Sequence, residues 1–294
     1  MAPCSKAPAF VYDEAFSRNL GWLTTDEQQR LQGATVAIAG LGGVGGSHLL
    51  TLTRLGIGGF HLADFDQFEL ANFNRQAGAR IDSIGQPKLD TLVAMALAIN
   101  PELRIRTFHD GVTPNNIDAF IAGCDLYVDG LDFFVLGLRR QLFMACHQQG
   151  LPAVTAAPLG MGAALLCFMP GQMSFDDYFC FDGDEQGDAL RFLLGLAPAG
   201  LHRPALVEPW RIDLANRRGP STVMGCELCA SLAASAVLKI LLGRGPLKAA
   251  PWSTQIDGYR LRLAHRRQSL GHPLQRLRYW LGRRALTART GKAG

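Results

Sequence analysis

The 294-residue sequence predicts a Rossmann-like, doubly wound α/β sheet, mainly parallel, with antiparallel strands toward the C-terminal side and a crossover loop. Three observations predict it. A continuous apolar run, Ala34–Ala39, ends at a glycine-rich turn, Gly40-Leu41-Gly42-Gly43-Val44-Gly45. Strand-like and helix-like stretches then alternate to about residue 169. Periodicity fails over about 171–222, too long for an ordinary connection, which marks a functional crossover or lid.

Each element has its own signal. Ala34–Ala39 lacks polar alternation, as a strand buried on both faces does. Val44–Leu55 carries apolar residues at helical spacing, and Gly59–Asp64 reads as the second strand. A helix over Pro87–Ile99, a strand at Leu103–Phe108 and a helix from near Pro114 follow. Asp125–Asp129 is a strand ending in acid, Val135–Gln149 a helix and Pro152–Ala156 a strand. Gly162–Met169 reads as a further strand, with an antiparallel sense open to it. The crossover starts aromatic and acidic (Phe175-Asp176-Asp177-Tyr178-Phe179) and contains one predicted helix, Ala189–Leu196. Gly225–Leu242 is a strong helix ended by Gly243, followed by short strands at Ser253–Asp257 and Tyr259–Ala264. From Pro273 to Arg284, Leu, Trp and Arg recur at helical spacing.

Composition narrows the classes. Pro and Gly are too few for a disordered chain, and no run of eighteen apolar residues suggests a membrane span, so no membrane partner is expected. Met1–Lys6 lacks the apolar core of a secretory signal, which points to a cytoplasmic location. Seven scattered cysteines fit reduced thiols better than a disulfide framework. The net charge of +4 conceals an asymmetry: residues 258–294 hold nine Arg, one Lys and no acid. Such a tail meets an acidic surface or nucleic acid, or is merely solvated.

The glycine turn stands where a helix N-terminus offers free amides to phosphate. Alone it is equally a tight turn or a dehydrogenase fingerprint, with Asp64 placed for ribose hydroxyls. Arg75 and Lys88 shift that balance. Two cations beside one phosphate pocket serve no purpose in hydride transfer, but they neutralise a triphosphate and the charge that builds on it during attack. Asp132, just beyond a strand, is a carboxylate that can hold Mg²⁺ against phosphates. Singly these are ordinary surface charges; jointly they describe a site.

With Asp64-Phe65-Asp66, Asn72-Phe73-Asn74-Arg75-Gln76, Gly85-Gln86-Pro87-Lys88, Asn100-Pro101 and Asp129-Gly130-Leu131-Asp132 in order, the sequence resembles the ThiF/MoeB/HesA-type adenylyltransferases, the bacterial branch of the ubiquitin-activating-enzyme superfamily. The likeness runs from about Tyr12 to Gly243. It implies ATP-dependent adenylation of a carboxylate, the C-terminus of a small ubiquitin-like or sulfur-carrier protein, giving acyl-AMP and pyrophosphate, with ATP and Mg²⁺ required. It implies nucleotide contacts at Gly40, Gly42, Gly43, Gly45, Asp64, Asp66, Asn72 and Gln76. It implies phosphate chemistry at Arg75 and Lys88 and Mg²⁺ at Asp132. Arg18 matches an arginine that in the family reaches the partner subunit's active site, which implies a homodimer. The parts are then an N-terminal helical arm (1–30), an adenylation domain (31–257) and a basic tail (258–294).

The chain departs from the family in its cysteines. Only one CxxC spacing exists, Cys226-Glu-Leu-Cys229, at a helix start, so zinc is not expected. Cys180 lies where some relatives carry a thioester nucleophile, but Asp176, Asp177, Asp182 and Asp184 should raise its pKa. Two other readings stand. One is a tRNA-modifying, threonylcarbamoyl-adenosine dehydratase-like enzyme, with Arg276, Arg278, Arg283 and Arg284 on phosphates and Tyr279 and Trp280 on bases. In its counterpart, that helix docks on its own domain through Leu274, Leu277 and Leu281. The other is a non-catalytic nucleotide-binding subunit, against which Arg75, Lys88 and Asp132 together argue.

Overall fold

A computed structural model describes residues 9–212, 219–267, 269 and 271–290, without the side chains of 185–186 and 285–290. Parts of the arm, crossover and tail named above lie outside the described residues. In chain order the helices are α1 (Tyr12–Ala15), α2 (Thr25–Gly33), α3 (Gly43–Leu55), α4 (Lys88–Ile99), α5 (Ile117–Ile121), α6 (Leu136–Gln148), α7 (Phe175–Phe179), α8 (Glu185–Leu196), α9 (Val223–Leu242) and α10 (Pro273–Thr290). The strands are β1 (Thr35–Ala39), β2 (Gly59–Ala63), β3 (Arg104–Phe108), β4 (Leu126–Asp129), β5 (Ala153–Leu159), β6 (Gly162–Phe168), β7 (Trp252–Asp257) and β8 (Arg262–Arg267).

All eight strands form one sheet in the order β3-β2-β1-β4-β5-β6-β7-β8. The pairs from β3 to β5 are parallel and those from β5 to β8 antiparallel. The chain order reverses between β1 and β4, the switch point where such sheets open a crevice. The mainly parallel, doubly wound fold read from the sequence is therefore present, with its antiparallel C-terminal side.

Both faces of the sheet are covered, which is why β1 is apolar and buried at every position from Val36 to Ala39. Val36 and Ile38 pack with Leu49 and Leu52 of α3 and Ala233 and Val237 of α9. Ala37 and Ala39 pack on the other side with Phe120 of α5 and Leu142 and Phe143 of α6. The start of the crossover belongs to that second core: Phe175, Tyr178, Phe179 and Phe192 interlock with Phe143 and Phe168. Ser174 caps α7 by accepting from Asp177 N at 3.1 Å.

Several boundaries differ from expectation. The strand placed at Tyr259–Ala264 lies at Arg262–Arg267, because Asp257 accepts Arg260 N at 3.1 Å and Leu261 turns at φ 52°, lengthening the hairpin. Helix α8 begins at Glu185, four residues before Ala189, since Gly187 hid its first turn from the periodicity. Helix α9 begins at Val223, capped by Thr222, which accepts Gly225 N at 3.2 Å and donates to Gly160 O at 2.6 Å. That helix is by length and composition apolar enough to cross a membrane, contrary to the reading that no stretch is. Here Cys229, Ala233 and Val237 on it are buried in the core between α3 and the sheet.

The switch point is built from glycine. Gly130 N donates to Ala39 O at 2.9 Å, joining the ends of β4 and β1. A Cβ on Gly45 would stand 1.7 Å from Gly40 O, and one on Gly130 would stand 2.3 Å from the same atom. Gly40 itself adopts φ 81°. By contrast, a Cβ on Gly42 would meet only Gln76 Nε2, at 3.9 Å. We therefore expect Gly45→Ala to destabilise the chain by more than about 4 kcal/mol in chemical denaturation, the range of forced backbone displacement. Gly42→Ala should cost far less stability while still crowding the crevice.

Candidate active site

The glycine turn leads directly into α3. The first helical hydrogen bond there runs from Gly46 N to Gly42 O, at 3.0 Å, so the amides of Gly43, Val44 and Gly45 precede the ladder and face the crevice with the positive end of the helix dipole. Asp64, at the end of β2, holds this turn: its Oδ2 accepts Leu41 N at 2.6 Å and its Oδ1 accepts Asp66 N at 2.8 Å. Burial raises its pKa, while those two amides and Lys88 pull the other way. The ribose role read for Asp64 thus coincides with a structural one.

The segment after β2 folds back on itself. Phe68 N donates to Gln86 O, Gly85 N to Phe68 O, and Lys88 N to Asp66 O, all at 2.9–3.0 Å. This return brings Lys88, at the start of α4, beside Asp66, where Nζ–Oδ2 is 2.9 Å. The lysine side chain is buried and its partner half exposed. Asp66 accordingly serves Lys88 directly, a contact its spacing did not disclose.

Asn72 is mainly architectural: its Oδ1 accepts Glu69 N at 2.9 Å and closes the turn that carries the next two residues. Arg75 lies on the glycine turn, with Cγ at 3.4 Å from where a Gly43 Cβ would stand. Its Nη1 donates to Ala71 O and Asn74 Oδ1, at 3.1 and 2.9 Å, which orients the guanidinium. Asn74 Nδ2 in turn donates to Ser221 O at 2.9 Å, tying the loop to the residues before α9. Gln76 is buried, and its Oε1 has no protein partner. A buried acceptor beside an open glycine cradle fits a hydrogen-bond-donating ligand.

Asp132 sits in the turn between β4 and α6, exposed, with Oδ1 accepting Phe134 N at 3.0 Å. The preceding Leu131 N is 2.9 Å from where a Gly40 Cβ would lie, so this turn borders the glycine loop. Among the described residues no three His, Cys, Asp or Glu side chains form a metal-holding group. One carboxylate is sufficient for Mg²⁺ where phosphates and waters supply the remaining oxygens, which is how that ion is commonly held.

Sequence reasoning missed the residue that fixes this turn. Arg139 of α6 donates from Nε to Asp129 Oδ2 at 2.8 Å and from Nη2 to Leu131 O and Asp132 O, at 2.6 and 3.0 Å. Both side chains of the Arg139–Asp129 pair are about 97–98% buried, at 3% and 2% exposure. Asp129 also accepts from Thr155 Oγ1 and Tyr127 Oη, at 2.8 and 3.2 Å. The signal was legible: Arg139 falls on the apolar stripe of Leu136, Leu142, Phe143 and Cys146, where a charge is out of place.

Other expected residues lie elsewhere. Arg18 is exposed on a 3₁₀ turn after α1. Its neighbour Asn19 donates to Leu55 O at 3.2 Å, so the arm packs at the far end of α3, roughly 20 Å from the glycine turn at 1.5 Å per residue. Arg18 is thus not brought to the site of its own chain. Cys226 and Cys229 are buried in the first turns of α9, and Cys226 Sγ lies 3.0 Å from a Gly43 Cβ position, so it floors the glycine turn. Cys180 closes α7 in the left-handed region at φ 51°. Burial, more than the nearby acids, raises its pKa, while Arg191 lowers it. The expected acidic field is largely neutralised: Asp176 pairs with Arg140 at 2.7 Å and Asp182 with Arg191 at 2.5 Å. Asp188 joins the same set through Arg140 at 3.4 Å, tying the crossover to α6.

The sequence profile of the ThiF family matches residues 16–276. Protein HesA, heterocyst, of Trichormus variabilis is 36% identical over 144 residues, 49% of this chain and 53% of that protein. The tRNA threonylcarbamoyladenosine dehydratase of Bacillus subtilis is 32% identical, over 51% and 57%. The sulfur carrier protein ThiS adenylyltransferase of Escherichia coli is 29% identical, over 50% and 58%. The chain spans about half the length of the curated relatives it matches. Escherichia coli MccB, solved with ATP, superposes with a TM-score of 0.65 at 19% identity, covering 91% of this chain and 72% of that one, a likeness of fold.

Two expectations rest on buried charge near the site. Removing Arg139 leaves Asp129 buried and unpaired, so Arg139→Met should cost about 3–5 kcal/mol in chemical denaturation. His48 of α3 is fully buried with both ring nitrogens unbonded, and burial lowers its pKa to about 4, against a smaller opposing pull from Asp129. The ring is neutral in the fold and takes a proton more readily when unfolded. Its contribution is therefore complete above about pH 6.5 and is lost as pH falls toward 4, about 2 kcal/mol of it by pH 5. Asp64, with its raised pKa, acts in the opposite sense. Urea unfolding at pH 7 and pH 5 should show that loss in the wild type and its absence in His48→Phe.

Proposed function

The chain belongs to the ThiF family, and from that premise we propose that it adenylates a carboxylate with ATP, giving an acyl-adenylate and pyrophosphate. The preferred acceptor is the C-terminus of a small ubiquitin-like or sulfur-carrier protein. The observation that supports this reading is the gathering, beyond the carboxyl ends of β1, β2 and β4, of the glycine turn, Arg75, Lys88 and the Asp132 turn, a set suited to neutralising a triphosphate.

The residues divide the work as follows. The amides of Gly43 to Gly45 and the open face of Gly42 receive phosphate oxygens, and Asp64 orients ribose hydroxyls while keeping the turn shut. Arg75 and Lys88 hold the phosphates as the acceptor carboxylate attacks the α-phosphorus. They stabilise the charge that passes to pyrophosphate as its bridging P–O bond breaks. Lys88 exchanges or shares Asp66 when it does so. Asp132 would hold Mg²⁺, which supplies further neutralisation of the phosphates. Arg18, remote in its own chain, would act across a homodimer.

The tRNA reading loses part of its support, because tail arginines it needs are engaged with the body. Arg278 donates to Pro198 O, and Arg283 pairs with Asp184 at 2.8 Å.

ATP–pyrophosphate exchange separates the readings. Exchange should appear with a glycine-ending carrier protein, and Lys88→Ala or Asp132→Ala should lower it at least about 100-fold. Full exchange in either variant refutes the site assignment. Exchange stimulated by tRNA instead moves the function to RNA modification, and ATP binding without turnover identifies a non-catalytic subunit.

A further inference from the structure

Helix α10 docks on the body through the face opposite its leucines. Gln275 is buried there, and Arg191 of α8 lies over the Tyr279 ring at 4.1 Å. A Cβ on Gly282 would meet Leu190 at 3.0 Å, so the two helices touch closely. At 100° per residue, Gln275, Tyr279, Gly282 and Arg283 share one side of the helix. Leu274, Leu277, Trp280 and Leu281 share the other and remain 50–53% exposed. The expectation that Leu274, Leu277 and Leu281 dock this helix on its own domain is thereby corrected: the helix docks, and the leucines face outward.

We propose that this outward face is a docking surface for an anionic lipid surface, a peripheral contact that the expectation of no membrane partner, drawn from the lack of a spanning run, did not consider. An apolar helical stripe that contains Trp and is flanked by Arg suits the boundary between acyl chains and anionic headgroups. The helix holds Arg276, Arg278, Arg283, Arg284 and Arg289 and no acidic residue. Arg276 lies on one flank of the stripe, and Arg284 lies over the Trp280 ring at 4.3 Å. Charge complementarity selects an anionic occupant. RNA fits the face less well, because Tyr279 and Arg283 are turned to the body and what faces outward is mainly leucine. A second copy fits less well, because α10 against α10 would oppose like charges.

The test is flotation of the full chain with phosphatidylcholine vesicles and with phosphatidylcholine–phosphatidylserine vesicles. The wild type should float with the anionic vesicles, less so at high salt, and stay below with the neutral ones. The double variant Leu277→Glu with Leu281→Glu changes only exposed positions, so it should keep the wild-type thermal midpoint and lose at least about ten-fold in bound fraction. Trp280 emission should shift to the blue on anionic vesicles, a shift absent in Trp280→Phe, which gives an independent readout should the double variant unfold. Wild type that stays below in both mixtures, equal flotation of the double variant, or binding to tRNA alone that the double variant loses, each overturns the proposal. None of these outcomes depends on whether pyrophosphate exchange occurs.

Discussion

Everything at the crevice depends on three backbones meeting without a side chain between them. Gly40 at the end of β1, Gly45 in the first turn of α3 and Gly130 after β4 are in direct contact. That contact sets the helix N-terminus and the turn carrying Asp132 at one point, and any Cβ would force them apart. The positive end of the α3 dipole and an acidic turn are thus brought together by sterics, before any ligand adds its charge. Asp64 then pins the same turn from the β2 side through Leu41 N.

Charge is arranged around that contact in two tiers. Asp129 and Arg139 are buried together, and each is satisfied by further hydrogen bonds, so the pair acts as a fixed strut for residues 131–133. Lys88 and Asp66 form the second tier, where a buried ammonium meets a carboxylate that reaches solvent. Such a pair can exchange partners at modest cost, whereas breaking the first would leave a buried charge alone. Rigid support thus lies behind an exchangeable cation.

Much of this was legible in the residues. The strand run Ala34–Ala39 and its glycine turn specified the fold class, since only a sheet covered on both faces tolerates an unbroken apolar strand. Spacing of Asp64, Arg75, Lys88 and Asp132 specified which loops share one edge. Residues whose role is set by long-range packing were not legible as site residues. Arg139 stands out on the apolar stripe of α6, but what it holds is readable only once Asp129 is placed opposite, and Cys226 reads as core until α9 crosses over Gly43. The tail failed for a related reason: its leucine stripe predicts a buried face, but burial followed Gln275, Tyr279 and Gly282 because α8 offers aromatic and ionic partners there. Periodicity reports that a helix has two faces; it does not report which one the body will take.

The adjacent arginines of α6 give the two sides of the molecule different responses to the medium. Arg139 holds the turn of residues 131–133 in full burial, and Arg140 holds Asp176 and Asp188 of the crossover with its side chain about a third exposed. Dissolved ions screen the second grip and hardly touch the first. Ionic strength is therefore a control that loosens the crossover along its α6 seam while the turn after β4 keeps its shape, although the two anchors are consecutive in the chain.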